Sequence, residues 1–381
     1  MLLRGYSQPD IKDKKVLLRL DLDVDVNDQG EVDQYHDLRL RRAVGTIAEL
    51  LTFGAKQIII FGHRGRPAGK FDPTFRLTPV RDYLELLLNK AGVQEPISLV
   101  NIDSADKKGN DVLVMLENLR FYPGEKTNDP DFTRQLSVWG EVYINDAFGN
   151  SHRSHASMLA ITKILPSFAG PSLINEVKEL SRFLANTPRP FIAVLGGAKI
   201  ETKIPLIQRL IGVADTVLVG GALANTILKS RGLEVGQSLV EDAYLADAKK
   251  IDSPKIILPI DATLSDGSVA AINSLNSAGF IGDIGPKTVA LFQQKIAAAR
   301  AILWNGPMGK YEDKKYQRGT NSILAVIISS AALKVVGGGD TLDILNRSQA
   351  ADRFDFVSVG GGAMLTFLAG EPMPALDALK Q

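Results

Sequence analysis

The sequence predicts an α/β protein of two similar-sized lobes, each a parallel-sheet (Rossmann-like) domain, joined by a connecting helix with a hinge cleft between them. Three observations carry this prediction. Short apolar runs of strand length alternate with stretches of helical spacing. The runs are continuously apolar, as in strands covered on both faces. A proline-flanked amphipathic segment divides the chain near its middle. One larger sheet is the alternative that the pattern leaves open.

In the first half, Val16 to Leu20, Gln57 to Phe61, Val112 to Leu116 and Val142 to Ile144 read as strands. Leu40, Val44, Ile47, Leu50 and Leu51 form a helical stripe between the first two. Pro166 and Pro171 on one side, and Pro188 and Pro190 on the other, bracket a helix from Ser172 to Ala185. The second half offers strands at Phe191 to Leu195, Thr216 to Val219, Lys255 to Leu258, Ala301 to Trp304, Leu333 to Val336 and Phe354 to Val359. Ile204, Ile207, Leu210 and Ile211 form its clearest stripe. The domains expected are 1–170, a connecting helix 171–187, and 188–373, with the tail 374–381 returning to the first.

Composition narrows the function. None of the 381 residues is cysteine, which excludes disulfides, thiolate metal sites and a cysteine nucleophile and suits a reducing cytoplasm. The 44 basic and 43 acidic side chains nearly cancel, so no global charge draws the chain to nucleic acid or an anionic bilayer. The longest apolar run, Ile323 to Leu333, is far short of the about 20 residues of a membrane span and reads as a core helix.

Glycine runs follow four strands of the second half: Gly196-Gly197, Gly220-Gly221, Gly337 to Gly339 and Gly360 to Gly362. Glycine at a strand-to-helix turn brings backbone N–H groups and the positive helix end close to a phosphate. Several such turns at one edge of a parallel sheet mark a ligand site. Lys199 and Lys203, four apart, are expected on one helical face pointing at an anion. Gly339-Asp340-Thr341 offers a carboxylate and a hydroxyl that would hold Mg²⁺ or merely cap a helix. The pattern G-x-x-x-x-G-K-[ST] is absent, and Gly285-Pro286-Lys287-Thr288 reads as a loop opening a helix.

The first half instead supplies arginine and histidine in short turns. These are Arg39 and Arg41, His63-Arg64-Gly65-Arg66, Arg120, and His152-Arg153-Ser154-His155. Guanidinium forks bind phosphate and carboxylate in two-point fashion, so the cluster suits a small, multiply charged anion. An anion pocket in one half and a glycine-lined nucleotide bed in the other imply phosphoryl transfer across a closing cleft, by alignment and charge stabilisation.

Nine stretches in order give the chain a resemblance to the phosphoglycerate kinase family: RLDLDVD (19–25), GHRGRP (62–67), LENLRF (116–121), NDAFGNSHRSHAS (145–157), LGGAKIETK (195–203), DIGPKT (283–288), WNGPMG (304–309), GGGDT (337–341) and GGGA (360–363). The resemblance implies reversible transfer between 1,3-bisphosphoglycerate and ADP, with Mg²⁺, in a hinge-bending cytoplasmic monomer. Asp21, Asp23, Arg39, His63, Arg66, Arg120 and Arg153 would hold the triose, with Arg39 steadying the moving phosphoryl group and Lys199 following it. Gly197, Ala198, Lys203, Gly220, Gly221, Asn305, Pro307, Glu312, Gly338, Gly339, Asp340 and Thr341 would hold the nucleotide, and Asp340 the metal. Gly361 and Gly362 would border the transferring phosphate. No nucleic acid or membrane partner is implied.

The chain departs from the family pattern at several positions. Asp23 stands where the family has asparagine, which places a carboxylate beside a bound anion at an expected cost of about 1–3 kcal/mol if desolvated. Asp25 replaces a proline. Val359, Met364 and Phe356 replace a threonine, a serine and a hinge-region histidine that pairs with a glutamate, here Glu176. These changes motivate a second reading, a nucleotide-binding regulator of low activity. A third is a kinase of another acyl phosphate.

Overall fold

A computed structural model describes residues 1–34, 37–104, 111–201, 203–275 and 279–381. They form two compact units, Met1–Ser181 with Pro372–Gln381, and Arg182–Glu371. Thr202, inside one of the nine stretches, lies outside the described residues.

The first unit is built on six parallel strands: β1 (Lys15–Arg19), β2 (Gln57–Phe61), β3 (Ile97–Val100), β4 (Leu113–Leu116), β5 (Val142–Asn145) and β6 (Ser167–Ala169). Their order is β3-β4-β2-β1-β5-β6. Alternate residues of one strand enter different cores, which is why the strand interiors are apolar on both faces. Val16, Leu18, Ile58 and Ile60 pack with Leu40, Ile47 and Leu50 of the helix Leu38–Thr52. Leu17, Ile59, Val114 and Tyr143 pack on the opposite face with Phe132 and Leu136. The C-terminal tail joins this unit: Arg4 N–H donates to Leu379 O at 2.8 Å and Ala375 N–H to Ser151 O at 3.2 Å.

The second unit carries β7 (Phe191–Leu195), β8 (Thr216–Val219), β9 (Ile256–Ile257), β10 (Asp261–Leu264), β11 (Val269–Ala271), β12 (Ile281–Ile284), β13 (Ala301–Asn305), β14 (Leu333–Gly337) and β15 (Phe356–Ser358). Six of these form a parallel sheet in the order β15-β14-β13-β7-β8-β9. Ile192, Val194, Ile302, Trp304 and Val336 bury against the helices Pro286–Ala297 and Arg318–Ser329. Gly285 caps the former, as the loop-then-helix reading of that segment expects.

Two expected elements need correction, and one sheet went unforeseen. The run Ile323 to Leu333 is not one helix, because the helix Arg318–Ser329 stops at its serines and Leu333 already opens β14. The strand expected over Lys255 to Leu258 shrinks to Ile256–Ile257, at the sheet's edge. An antiparallel sheet, β11-β10-β12, was not foreseen; its β10–β11 hairpin turns at Gly267 with φ +86°.

Candidate functional site

In the first unit, the cationic residues come from the carboxyl ends of neighbouring parallel strands, where an open α/β sheet places its ligand. Arg39 is the second residue of the helix Leu38–Thr52. A cation there opposes the helix dipole, and two acceptors compensate: Asp21 Oδ2 lies 3.4 Å from Arg39 Nε, and Asp23 O accepts from Arg39 NH1 at 2.5 Å. Arg120, in the turn Leu119–Phe121 after β4, donates to Gly65 O at 2.7 Å and ties itself to the His63 turn. Arg153, in the turn after β5, donates to Asn150 Oδ1 at 3.2 Å. Arg66 is exposed in the turn after β2 and repels Arg153 electrostatically.

Burial dominates the electrostatics. It lowers Arg120 to about 10, reinforced by Arg153, and His152 to about 4. His63 is likewise pushed down to about 4 by burial, opposed by Asp23 and reinforced by Arg19 and Arg120. Burial would raise Asp23, yet His63, the Gly65 N–H and Arg39 together pull it well below the usual carboxylate range. Asp21, Asp23, Arg39, His63, Arg120 and Arg153 are thus brought together, a cationic wall with two acids set into it.

Sequence reasoning missed the layer behind this wall. Arg19 is fully buried; its Nε donates to Ser157 Oγ at 3.1 Å and its NH2 lies 3.0 Å from His63 Nδ1. Ser157 Oγ in turn donates to the buried Glu125 at 2.5 Å. An arginine closing an apolar strand, VLLR, was the available signal, because a buried guanidinium needs a carboxylate somewhere.

In the second unit, all four glycine runs sit at the carboxyl end of the parallel sheet, after β7, β8, β14 and β15. Gly197 has φ +81°, and its N–H donates to Pro307 O at 2.7 Å. Gly221, with φ +64°, donates to Met308 O at 2.8 Å. Asn305 Nδ2 donates to Gly337 O at 2.7 Å, and Thr341 Oγ1 accepts the Gly306 N–H at 2.7 Å. Asn305 and Thr341 therefore hold the turns. A Cβ at Gly339 or Gly362 would meet nothing within 4 Å, so the backbone at these two positions borders open space. Gly338, Gly361 and Gly362 lead into the helices Gly339–Arg347 and Gly362–Ala369. Gly220 is the cap of the helix Gly221–Ser230. Ala198, Lys199, Glu312 and Asp340 are exposed. Met364 is buried, and its sulfur fills the space behind Gly337.

The two lysines do not share a helical face. The helix begins only at Ile204, with Lys203 as its cap and Lys199 in the irregular segment before it. Pro205 fixes that start, since proline is tolerated in a first turn but not further in. Lys203 is nonetheless buried, with Nζ donating to Gly196 O. Burial lowers it to about 8, with Asp340 opposing and Lys199 reinforcing.

No group of three or more metal-ligating side chains occurs among the described residues. The donor set still fits Mg²⁺ in its nucleotide-bound form, which takes one or two carboxylates plus phosphate oxygens and water; Asp340 supplies such a carboxylate, exposed beside Lys203. No helix is long and apolar enough to cross a membrane among the described residues.

Comparison with known proteins gives a consistent result. The family model for phosphoglycerate kinase matches residues 6–371. The phosphoglycerate kinase of Rubrobacter xylanophilus is 40% identical over 394 residues, covering 99% of this chain and 98% of the relative. That of Prochlorococcus marinus is 38% identical over 400 residues, covering 100% and 98%. Among solved structures, phosphoglycerate kinase from Coxiella burnetii matches with a TM-score of 0.81 at 34% identity over 99% of both chains. The enzyme from Pyrococcus horikoshii OT3 matches with a TM-score of 0.83 at 29% identity over 97% of this chain and 96% of that one.

Proposed function

The chain belongs to the phosphoglycerate kinase family, and from that premise we propose how its residues divide the work of moving a phosphoryl group between 1,3-bisphosphoglycerate and ADP. The first unit holds the triose through Asp21, Asp23, Arg39, His63, Arg66, Arg120 and Arg153. Five cationic or imidazole groups there converge on a small polyanion, and each arginine offers a planar fork to a carboxylate or phosphate. The second unit holds the nucleotide. Gly197, Ala198, Gly220 and Gly221 allow close approach of the base and sugar, Asn305 and Pro307 shape the floor, and Glu312 takes the ribose. Lys203 and the amides of Gly338, Gly339 and Thr341 take the phosphates.

Transfer is direct. The acyl C(O)O–P bond breaks as the terminal oxygen of ADP bonds to phosphorus, the triose leaves as a carboxylate, and no proton or covalent residue is needed. Arg39, Lys199 and the N–H groups of Gly361 and Gly362 spread the charge of the phosphoryl group in flight. Asp340 would hold Mg²⁺, which neutralises charge between the nucleotide phosphates when bound. The protein is read as a cytoplasmic monomer.

The observation that carries this reading is the convergence of four glycine turns, Lys203 and Asp340 at one edge of a parallel sheet. A coupled assay with 3-phosphoglycerate and MgATP tests it. Turnover is expected in the wild-type chain, and Arg39→Ala and Lys199→Ala should each reduce it by about 10²-fold or more. Normal turnover in both variants would defeat the roles assigned.

A further inference from the structure

The imidazole of His63, 1% exposed, lies between two contrasting neighbours. Its Nδ1 is 3.0 Å from Arg19 NH2. A guanidinium can only donate, so Nδ1 accepts and the ring hydrogen is assigned to Nε2. Nε2 has no hydrogen-bond partner and lies 3.7 Å from Asp23 Oδ2. The other oxygen of Asp23 accepts the Gly65 N–H at 2.8 Å, and its carbonyl accepts from Arg39. Asp23 is therefore an anion already lodged in a wall that otherwise suits a polyanion. Facing the pair are Arg19 from β1, Arg39 from the helix Leu38–Thr52, Arg64 from the turn after β2, Arg120 from the turn after β4 and Arg153 from the turn after β5. Asp21, Asp25 and Glu125 are the other acids coupled to these arginines.

The geometry points to a proton-linked triose site, in which the Asp23–His63 pair takes up one proton from solvent as the triose anion binds and its formal charge passes from −1 to 0. The inference rests on the first unit being the triose site. An incoming anion competes for the guanidinium groups that now neutralise Asp23, and it adds like charge nearby. One unit charge at about 4 Å, in surroundings of effective dielectric near 20, moves a neighbouring group by roughly three pH units. A triose phosphate carries more than one such charge and also draws off the guanidinium groups that hold Asp23 down, so the shift carries the pair from acidic titration toward neutral pH. Nδ1 already accepts from Arg19 and Nε2 already bears the ring hydrogen, so the added proton settles on Asp23 Oδ2 and converts an oxygen that would repel the ligand into a hydroxyl that can donate to it. Asparagine at this position would present such a hydrogen at any pH.

Titration calorimetry of 3-phosphoglycerate into the full chain, at pH 6 and pH 8 and in two buffers of different ionisation enthalpy, reads the protons exchanged. The ligand phosphate sheds protons on meeting arginine in every variant, so the difference between proteins is the readout. At pH 6 the wild type should take up on the order of half a proton more than Asp23→Asn, and its affinity should fall with pH by up to about tenfold per unit beyond that of the variant. His63→Gln should lose the same difference and serves if Asp23→Asn does not fold. Equal proton counts in wild type and variants would overturn the link while leaving the triose site standing. A wild-type chain that binds MgADP but gives no triose heat would overturn the site and the link together.

Discussion

Glu176, wholly withdrawn from water on the helix Pro171–Ala185, accepts a 2.6 Å hydrogen bond from Arg42 NH1 on the helix Leu38–Thr52. Arg42→Ala takes one hydrogen-bond partner from this buried carboxylate, and a buried charge that loses a partner costs more than the pair itself contributes. Arg42→Ala should therefore destabilise the chain by about 3 kcal/mol. The double variant Arg42→Ala/Glu176→Met should recover most of that loss. Urea unfolding checks both, and a single variant within about 0.5 kcal/mol of wild type, the range of ordinary surface changes, would show that Glu176 is satisfied without Arg42.

Two buried acids give the fold an unusual pH response. Asp146 is pushed up to about 6 by burial, against the Thr46 hydroxyl and the Leu173 N–H. Asp283 is pushed up to about 7 by burial, against the N–H groups of Gly319 and Ile284. An acid whose folded pKa lies above its unfolded one ionises first in the unfolded chain as pH rises. Stability from these groups is therefore full below about pH 4 and is lost as pH climbs through 6 to 7, by on the order of 2 kcal/mol each. The urea midpoint should rise from pH 8 to pH 5.5. Asp146→Asn should flatten that rise, because the Thr46 hydroxyl can turn to accept from the new amide. Asp283 accepts from two backbone N–H groups and tolerates no such exchange. A midpoint that does not change between pH 8 and 5.5 would contradict both assignments.

Gly338 adopts φ +107°, and a Cβ there would stand 2.5 Å from Asn305 Nδ2, the group that holds the Gly337 carbonyl. Gly338→Ala should strain the turn after β14, cost about 1–3 kcal/mol, and weaken MgADP binding. Gly339→Ala is the control, since its Cβ would meet nothing within 4 Å. It should leave stability within about 0.5 kcal/mol and expose any separate effect on nucleotide affinity. If the two alanines behave alike in unfolding and in MgADP titration, the close approach at Gly338 is relieved by local movement.

How much of this was legible in the sequence follows from which interactions are local. Runs such as Ile58–Phe61 and Phe191–Leu195 declared themselves because both sheet faces are covered, so every side chain in them is apolar. The glycine turns were equally visible, since φ > 0 leaves few other residues possible. β3 and β6 were missed: Ile97–Val100 is only partly buried beyond Ile97, and Ser167–Ala169 is three residues beside a proline. The Arg19–Ser157–Glu125 relay joins residues up to 138 positions apart, which no local pattern encodes. The setting of Asp23 was hidden for the same reason. Its substitution was evident, but its bond to the Gly65 N–H and its approach to His63 needed the fold.

Lys203 offers the sharpest test of the nucleotide site. Its amine is buried, donates to the Gly196 carbonyl, and is lowered to about 8 by that burial. Nucleotide phosphate placed beside it would favour the charged form and lift the pKa again, so binding above pH 8 must draw in a proton. The affinity for MgADP should then hold steady from pH 7 to about 8 and fall by up to tenfold per unit above it. The ADP phosphates have finished titrating by pH 7, so the fall is attributable to the protein. Lys203→Met should bind about 10- to 100-fold more weakly at pH 7, as loss of a charge-assisted hydrogen bond predicts, and should lose the dependence on pH. Calorimetric titration with MgADP from pH 7 to 9.5 measures both. A wild-type affinity that stays flat to pH 9.5 would mean that Lys203 keeps its proton in the free protein, or that it does not face the phosphates.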